Sequence, residues 1–281
     1  MIKINCVKYE YDHYIVKSIQ KLIIDKYYNL FLAVFVHGSI GVDELINYSD
    51  FDGLLIVKDK YKDTKFFKSF LNESLHLIYK FDPLQHHGWF IIYEKQLQNY
   101  PQSYFPYQLF DYSKVIYPLK SISLSITIEN DVDFKKPLLQ LIGSIKKNIS
   151  VKSYPSNLFE LKSISSQIML LPAFYVQARD KNAVFKKYSF KMAKNDFSDN
   201  EWKPIKDVSD LRLNWVNRLN IFVYFCSVFR TNFIFNKIYK KWMTPRIPNE
   251  INIFLDESFN ENINHMFKRI VSNLEGIKIN K

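Results

Sequence analysis

The spacing of apolar residues divides the chain into two halves of different character. In the first half, short apolar runs typical of buried strands alternate with segments of helical spacing. From about residue 133 the apolar positions follow a helical period almost throughout. The predicted strands are 30–36, 51–57, 89–93 and 123–128, and the predicted helices are 13–29, 65–80, 133–149, 156–179, 183–196, 199–220, 221–243 and 252–274.

This order of elements predicts an α+β fold in two domains. Residues 1–130 are expected to form an α/β domain in which helices pack against a sheet, and residues 131–281 an all-helical domain. No glycine- or serine-rich linker marks the boundary. Residues 95–120 carry three prolines and are expected to be irregular.

The composition indicates a folded protein and leaves the partner open. The chain has 281 residues, of which 47% are apolar, so a substantial core can form, which favours a folded chain over a disordered one. A net charge of +11 suits nucleic acid, an anionic substrate or a membrane surface. It is equally typical of a lysine-rich surface, and no run of five basic residues occurs.

The cysteines and the apolar runs predict a cytoplasmic location. Cys6 and Cys226 are far apart and lie outside any metal-binding spacing, which suits a reducing compartment. The first residues lack the apolar stretch of a signal peptide. The longest strongly apolar run, Ile221 to Phe229, has about half the length of a spanning helix. We therefore expect no membrane partner.

Two aspartates stand at the start of the predicted strand 51–57. Asp50 and Asp52 are two residues apart, so their side chains point to the same face of the strand. Like charges held together beside a core repel each other unless a positive charge lies between them. Paired carboxylates suit Mg²⁺ (or Mn²⁺), which predicts a metal site. Alternatively, Asp50 belongs to a turn before the strand and Asp52 has no role.

A glycine–serine pair ends the preceding apolar strand. Gly38 would let backbone amides approach a phosphate closely, and the Ser39 hydroxyl would add a donor. Alternatively, Ser39 is a helix N-cap. Ten residues separate Ser39 from Asp50.

The apolar strand, Gly38-Ser39, this spacer and Asp50-Phe51-Asp52 together resemble the signature of the DNA polymerase beta-type nucleotidyltransferase superfamily. The resemblance covers roughly residues 12–94. It implies a mixed sheet followed by a helical domain, and metal-dependent transfer of a nucleoside monophosphate from a nucleoside triphosphate to an acceptor, with release of pyrophosphate. The two-part layout is more similar to the small-molecule and antibiotic nucleotidyltransferases, which favours a small-molecule acceptor; an RNA or protein acceptor stays open.

The sequence departs from the family pattern at the third carboxylate. That acid normally lies near the start of a third strand, but the interior of the strand ending at Tyr93 contains none. His87 or His86 before this strand, or Glu94 after it, would have to complete the metal shell or accept the proton. A carboxylate from a later segment, such as Asp131 or Asp133, is a further option. Otherwise the protein is a degenerate member that only binds nucleotide or RNA.

The helical half contributes one candidate strip. Related helical domains supply lysine and serine to the triphosphate, and the segment 184–190 contains Lys186, Lys187 and Ser189 close together. The resemblance therefore implies nucleotide-binding roles for these three residues. The other interpretation is an ordinary amphipathic surface.

Overall fold

A computed structural model describes residues 1–128, 132–149, 155–216, 219–252 and 257–276. The architecture is mixed α+β, with a mixed sheet and many helices, which confirms the predicted class at that level. The strands are β1 Ile2–Cys6, β2 Phe31–His37, β3 Asp52–Val57, β4 Phe90–Tyr93, β5 Lys114–Tyr117 and β6 Ile122–Ile126. The α-helices are α1 Tyr14–Leu22, α2 Gly38–Gly41, α3 Lys65–Phe81, α4 Lys135–Asn148, α5 Leu158–Ile168, α6 Leu171–Asp180, α7 Lys186–Lys194, α8 Asp199–Leu213, α9 Ile221–Ser227, α10 Phe233–Ile238, α11 Asn249–Asn252 and α12 Glu257–Gly276.

The main sheet has the strand order β4-β3-β2-β5. β2 runs antiparallel to β3 and β5, and β3 runs parallel to β4. The central strand β3 is buried on both faces, which explains its unbroken apolar sequence. One face packs against residues of α1 and α3, including Ile19 and Phe70, and the other packs against aromatic side chains that include Phe105 and Phe110.

Two sheet pairings were not predicted from the sequence. β1 pairs antiparallel with β6, from Ile2 opposite Ile126 to Cys6 opposite Ile122, so the predicted strand at 123–128 has a partner at the very start of the chain. β5 lies inside the stretch expected to be irregular and pairs with β2. Its four residues are too few to show a period.

The chain forms two compact units. The first contains the described residues up to 128 together with 219–244, and the second contains those from 132 to 216 and from 245 to 276. The sequence-based division assigned 219–244 to the helical domain, whereas the structure packs this segment on α3 of the first unit. Helical spacing predicts an apolar face but not the partner of that face, so the assignment could not be made from the pattern.

The second unit is helical. Its core collects apolar residues from α4, α5, α6, α8 and α12. The predicted helix 156–179 divides into α5 and α6, because Pro172 in the first turn of α6 lacks the N–H that a continuous helix needs. Residues 217 and 218 of the predicted helix 199–220, and residues 253–256 of the predicted helix 252–274, lie outside the described part of the chain. None of the helices in the described part is both long and apolar enough to cross a bilayer.

A substitution at Gly53, directly after Asp52, tests how tightly β3 is packed. A Cβ there would lie 2.2 Å from Trp89 Cζ3 and 2.7 Å from Phe51 Cε1. The Trp89 ring is buried and donates a hydrogen bond to Ser74 Oγ over 2.9 Å, so it has no room to move. We expect Gly53→Ala to lower the free energy of unfolding by about 3 kcal/mol, measured by urea denaturation.

The matched control for this prediction is Gly143→Ala in α4. A Cβ at Gly143 meets no atom within 4 Å, and alanine is favoured over glycine inside a helix. This variant should be stabilised by up to about 1 kcal/mol. Equal stability of the two variants would contradict the packing described for β3.

Candidate functional site

The acid pair lies at the mouth of the buried strand β3. Asp52 is the first residue of β3, and Asp50 precedes it by two positions. Their side chains are partly exposed, 17% for Asp50 and 23% for Asp52, whereas the next residues of the strand are buried. The pair is therefore open to solvent at one end and bounded by the core at the other.

A single imidazole contacts both carboxylates. His87 Nε2 lies 3.2 Å from Asp50 Oδ2 and 3.2 Å from Asp52 Oδ1. His86 is adjacent, with its Nδ1 3.8 Å from Asp50 Oδ2. The parallel register explains this proximity, because Leu54 is paired with Phe90 and the residues just before each strand therefore meet at the same edge of the sheet. Both carboxylates face one group.

The His87 imidazole supplies the positive charge that separates the two acids. Burial disfavours its charged form, but hydrogen bonds to Asp50 and Asp52 and their negative charges raise the pKa of His87 to about 11. At neutral pH the ring is an imidazolium whose second nitrogen, Nδ1, donates to the Gly88 carbonyl over 3.1 Å.

The charge of this imidazolium also governs Asp52. Burial and the nearby Asp50 charge act to raise the pKa of Asp52, but the His87 hydrogen bond and the positive charges of His37 and His87 outweigh them and lower it. Asp52 is therefore ionised at neutral pH. His37 is the residue directly opposite Asp52 on β2.

Gly38 brings the backbone of the β2–α2 turn against Asp52. Its φ is +63°, in the left-handed region, and a Cβ on it would lie 2.4 Å from Asp52 Oδ2. Only glycine fits both conditions. Ser39 follows inside α2 and is partly exposed, while His37 occupies the N-cap position, so the N-cap interpretation of Ser39 is wrong.

Gln85 is a site residue that the sequence analysis missed. It is buried, and its side-chain amide forms two hydrogen bonds to the backbone of Phe51, the residue between the two aspartates: Phe51 N–H donates to Oε1 and Nε2 donates to the Phe51 carbonyl, both over 2.9 Å. The same Nε2 lies 3.1 Å from the His87 carbonyl oxygen. Gln85 thus joins the histidines to the acid pair. A lone glutamine before two histidines carries no sequence signal for such a role.

Several candidate acids lie elsewhere. Glu94 follows the far end of β4, where its Oε2 accepts from the Asp59 N–H over 3.4 Å. At about 3.3 Å per residue, the length of β4 alone separates Glu94 from the pair by more than about 10 Å. The structure therefore corrects its assignment as a site residue. Asp133 belongs to the second unit and accepts from the N–H groups of Lys135 and Lys136 at the start of α4, and Asp131 lies outside the described residues.

The predicted phosphate strip lies on α7, in the second unit. Lys187 is exposed and Lys186 partly buried. Ser189 is fully buried, and its hydroxyl donates to the Lys186 carbonyl over 2.7 Å. The structure therefore corrects the assignment of Ser189 as a nucleotide contact, because an inward-facing hydroxyl cannot reach a phosphate. Roles for Lys186 and Lys187 stay predictions.

The donor set has the chemistry and the spacing of a metal site. Asp50, His86 and His87 each offer a ligand atom within 4.8 Å of the others, and Asp52 adds a second carboxylate. Neighbouring ligands of an octahedral ion with bonds of about 2.1 Å lie about 3.0 Å apart. The two separations of 3.2 Å from His87 Nε2 are close to that spacing, whereas His86 lies farther away, at 3.8 Å from Asp50. Replacement of the His87 proton by a divalent cation would therefore need little rearrangement.

Comparison with known proteins adds a likeness to solved structures. No protein-family model matches the chain, and no curated protein matches it. Among solved structures it is similar to a spectinomycin adenyltransferase from Enterococcus faecialis, crystallised with ATP and spectinomycin, at 12% identity over 81% of this chain and 98% of that chain. The TM-score is 0.42, so we base no assignment on this likeness.

Proposed function

We propose that the protein is a metal-dependent nucleotidyltransferase that transfers a nucleoside monophosphate from a nucleoside triphosphate to a small-molecule acceptor. The observation that carries the proposal is the contact of Asp50 and Asp52 with one nitrogen of His87 beside the turn at Gly38. This contact brings three groups that can bind a metal close to the glycine turn, at the solvent-open end of the buried strand β3.

In this proposal Asp50, Asp52 and His87 hold the divalent cation, Mg²⁺ or Mn²⁺. The cation, when bound, neutralises the phosphate charge and stabilises the transition state of the transfer. Asp52 is held by β3, and Phe51 between the two aspartates is held by Gln85. Such rigid placement favours catalysis by positioning.

The turn after β2 is proposed to bind the phosphates. Gly38 has no side chain to obstruct an anion, and the Ser39 hydroxyl follows it on the partly exposed first turn of α2. Attack by an acceptor hydroxyl oxygen on the α-phosphorus would form the new P–O bond as the bond to the bridging oxygen breaks; the hydroxyl proton would pass to water, and pyrophosphate would leave.

The second candidate is a degenerate protein that binds nucleotide or RNA on the same fold. It is favoured by the imidazole at the place where the related family has a third carboxylate, together with the net charge of +11. An imidazolium bonded to both aspartates could replace the metal altogether. In that case the protein would bind RNA with a steep salt dependence and release no pyrophosphate.

Acceptor-dependent pyrophosphate release tests the proposal. The protein is incubated with ATP, GTP, CTP or UTP, with Mg²⁺ or Mn²⁺, and with a panel of hydroxyl-bearing small molecules. We expect release with at least one nucleotide, abolished by EDTA. RNA binding without release in any combination would favour the degenerate protein.

Gly38→Ala is expected to disable this site. The left-handed φ costs about 1 kcal/mol in alanine, and the new Cβ would displace the Asp52 carboxylate. We expect at least a tenfold loss of metal-dependent turnover and a destabilisation of about 2 kcal/mol. Turnover and thermal unfolding measure the two effects.

Gly88→Ala is the control for this variant. Gly88 directly follows His87, yet the nearest atom to a Cβ there is Leu75 Cδ2 at 3.9 Å. This variant should retain turnover within about twofold. Equal activity of Gly38→Ala and Gly88→Ala would remove Gly38 from the site.

A further inference from the structure

Arg230 is buried beside the turn that carries the histidines. It belongs to the segment 219–244 and is only 2% exposed. Its Nη1 donates to the Pro83 carbonyl and its Nη2 to the Gln85 carbonyl, both over 2.6 Å. The guanidinium stacks over the Tyr79 ring, with 4.1 Å from Cζ to the ring centroid. Arginine alone offers this planar fork with separate donors for two carbonyl groups.

The turn that Arg230 holds continues directly into the site. Gln85, whose carbonyl accepts from Arg230, uses its own side chain to bind the Phe51 backbone and the His87 carbonyl. A continuous set of hydrogen bonds therefore runs from Arg230 through Gln85 to both walls of the site. The walls are the strand that carries the aspartates and the peptide that carries His87.

Arg230 is itself held in place by further contacts. Its Nε donates to Asn236 Oδ1 over 3.1 Å, and a second ring, Tyr239, lies 5.0 Å away. Burial disfavours the charged guanidinium and lowers the pKa of Arg230, an effect that the negative charge of Asp82, in the same turn as Pro83, opposes. A buried guanidinium with this many partners has one orientation.

We propose that Arg230 is a positioning residue of the active site, which fixes the 83–87 turn so that His87 meets Asp50 and Asp52. Its effect on turnover rests on the proposed function, but its effect on the orientation of His87 does not. The segment 219–244 is thereby part of the site, although about 145 residues separate it from the turn in the sequence.

Ser227 provides a matched comparison for a purely structural role. Its hydroxyl lies 2.9 Å from the Tyr79 carbonyl oxygen and 2.7 Å from the Tyr224 carbonyl oxygen, so it also ties the segment to the end of α3, through groups outside the 83–87 turn. A general loosening of the contact between this segment and α3 would appear in both variants, Ser227→Ala and Arg230→Lys. Loss of positioning would affect only the arginine variant.

The experiment compares wild type, Arg230→Lys and Ser227→Ala by two measurements. The first is the ¹³C–¹H spectrum of histidine-labelled apoprotein, in which the His87 signal is assigned with His87→Gln. The second is the affinity for Mn²⁺, measured from the electron paramagnetic resonance signal of the free ion. Asn236→Ala, which removes the acceptor of Arg230 Nε, serves as a milder variant if Arg230→Lys does not fold.

We expect Arg230→Lys to shift or broaden the His87 signal and to weaken Mn²⁺ binding 10- to 100-fold, as is typical when a supporting residue of a metal site is lost. Asn236→Ala should act in the same direction, and Ser227→Ala should leave both measurements unchanged. An unchanged His87 signal in folded Arg230→Lys or Asn236→Ala would overturn the proposal. If wild type binds no Mn²⁺, the proposed function fails, and the His87 signal still decides the role of Arg230.

Discussion

Asp52→Asn is expected to lower metal-dependent pyrophosphate release by about 10³-fold, equivalent to about 4 kcal/mol of transition-state stabilisation. Asparagine keeps the shape of the side chain but removes the negative charge that a cation needs. The substitution relieves the repulsion by Asp50 but also removes the stronger attraction to His87 and His37 that lowers the pKa of Asp52. We therefore expect Asp52→Asn to be destabilised by about 2 kcal/mol, and turnover is compared at a temperature at which circular dichroism shows both proteins to be folded.

Asp43→Asn is the control for the aspartate prediction. Asp43 lies between the glycine turn and the acid pair in the sequence, but its carboxylate binds His13 at the surface, with 2.8 Å between Oδ1 and Nε2. Its replacement should leave turnover within about twofold. Turnover that persists in Asp52→Asn, or falls equally in Asp43→Asn, would count against the metal assignment of Asp52.

His87→Ala is expected to destabilise the metal-free protein by about 2 kcal/mol at neutral pH. Removal of one partner from a buried ion pair typically costs about 3 to 5 kcal/mol, and the partial exposure of His87, 28%, reduces that cost. Here the removal leaves two carboxylates facing each other. Urea denaturation in EDTA measures the effect, with His76→Ala, a partly exposed histidine on α3, as the control.

The difference in the free energy of unfolding between wild type and His87→Ala should decrease as the pH rises. Folding raises the pKa of His87 from 6.5 to about 11, so the ring binds its proton more tightly in the folded state. Its contribution to stability is therefore complete below pH 6.5 and is lost as the pH rises through the interval to about 11. A difference that grows between pH 7 and pH 10 would contradict the imidazolium between the aspartates.

The local parts of the site could be predicted from the sequence. Period-two alternation places Asp50 and Asp52 on one face, and the apolar run after them predicts the buried strand. The need for a positive charge between them followed from their repulsion. That the charge belongs to His87 in the metal-free protein could not be predicted, because it depends on the parallel register of β3 with β4.

Contacts between elements that are distant in the sequence could not be predicted from the apolar pattern. Glu94 and His87 flank the same short strand, and only the direction of β4 decides which of them meets the aspartates. Arg230 ended an apolar run and could only be identified as a helix residue, since helical spacing does not name the surface on which a helix packs. The role of Gln85 depends on contacts with Phe51, 34 positions away in the sequence.

The central claim is that Asp50, Asp52 and His87 bind one divalent cation. Electron spin-echo envelope modulation of the protein with one equivalent of Mn²⁺ tests it most directly, because this measurement detects a histidine nitrogen bonded to the ion. We predict a histidine nitrogen coupling in wild type that is absent in His87→Gln, and loss of the bound ion in Asp52→Asn. Mn²⁺ that binds wild type without nitrogen coupling, or binds Asp52→Asn as tightly as wild type, would contradict the claim.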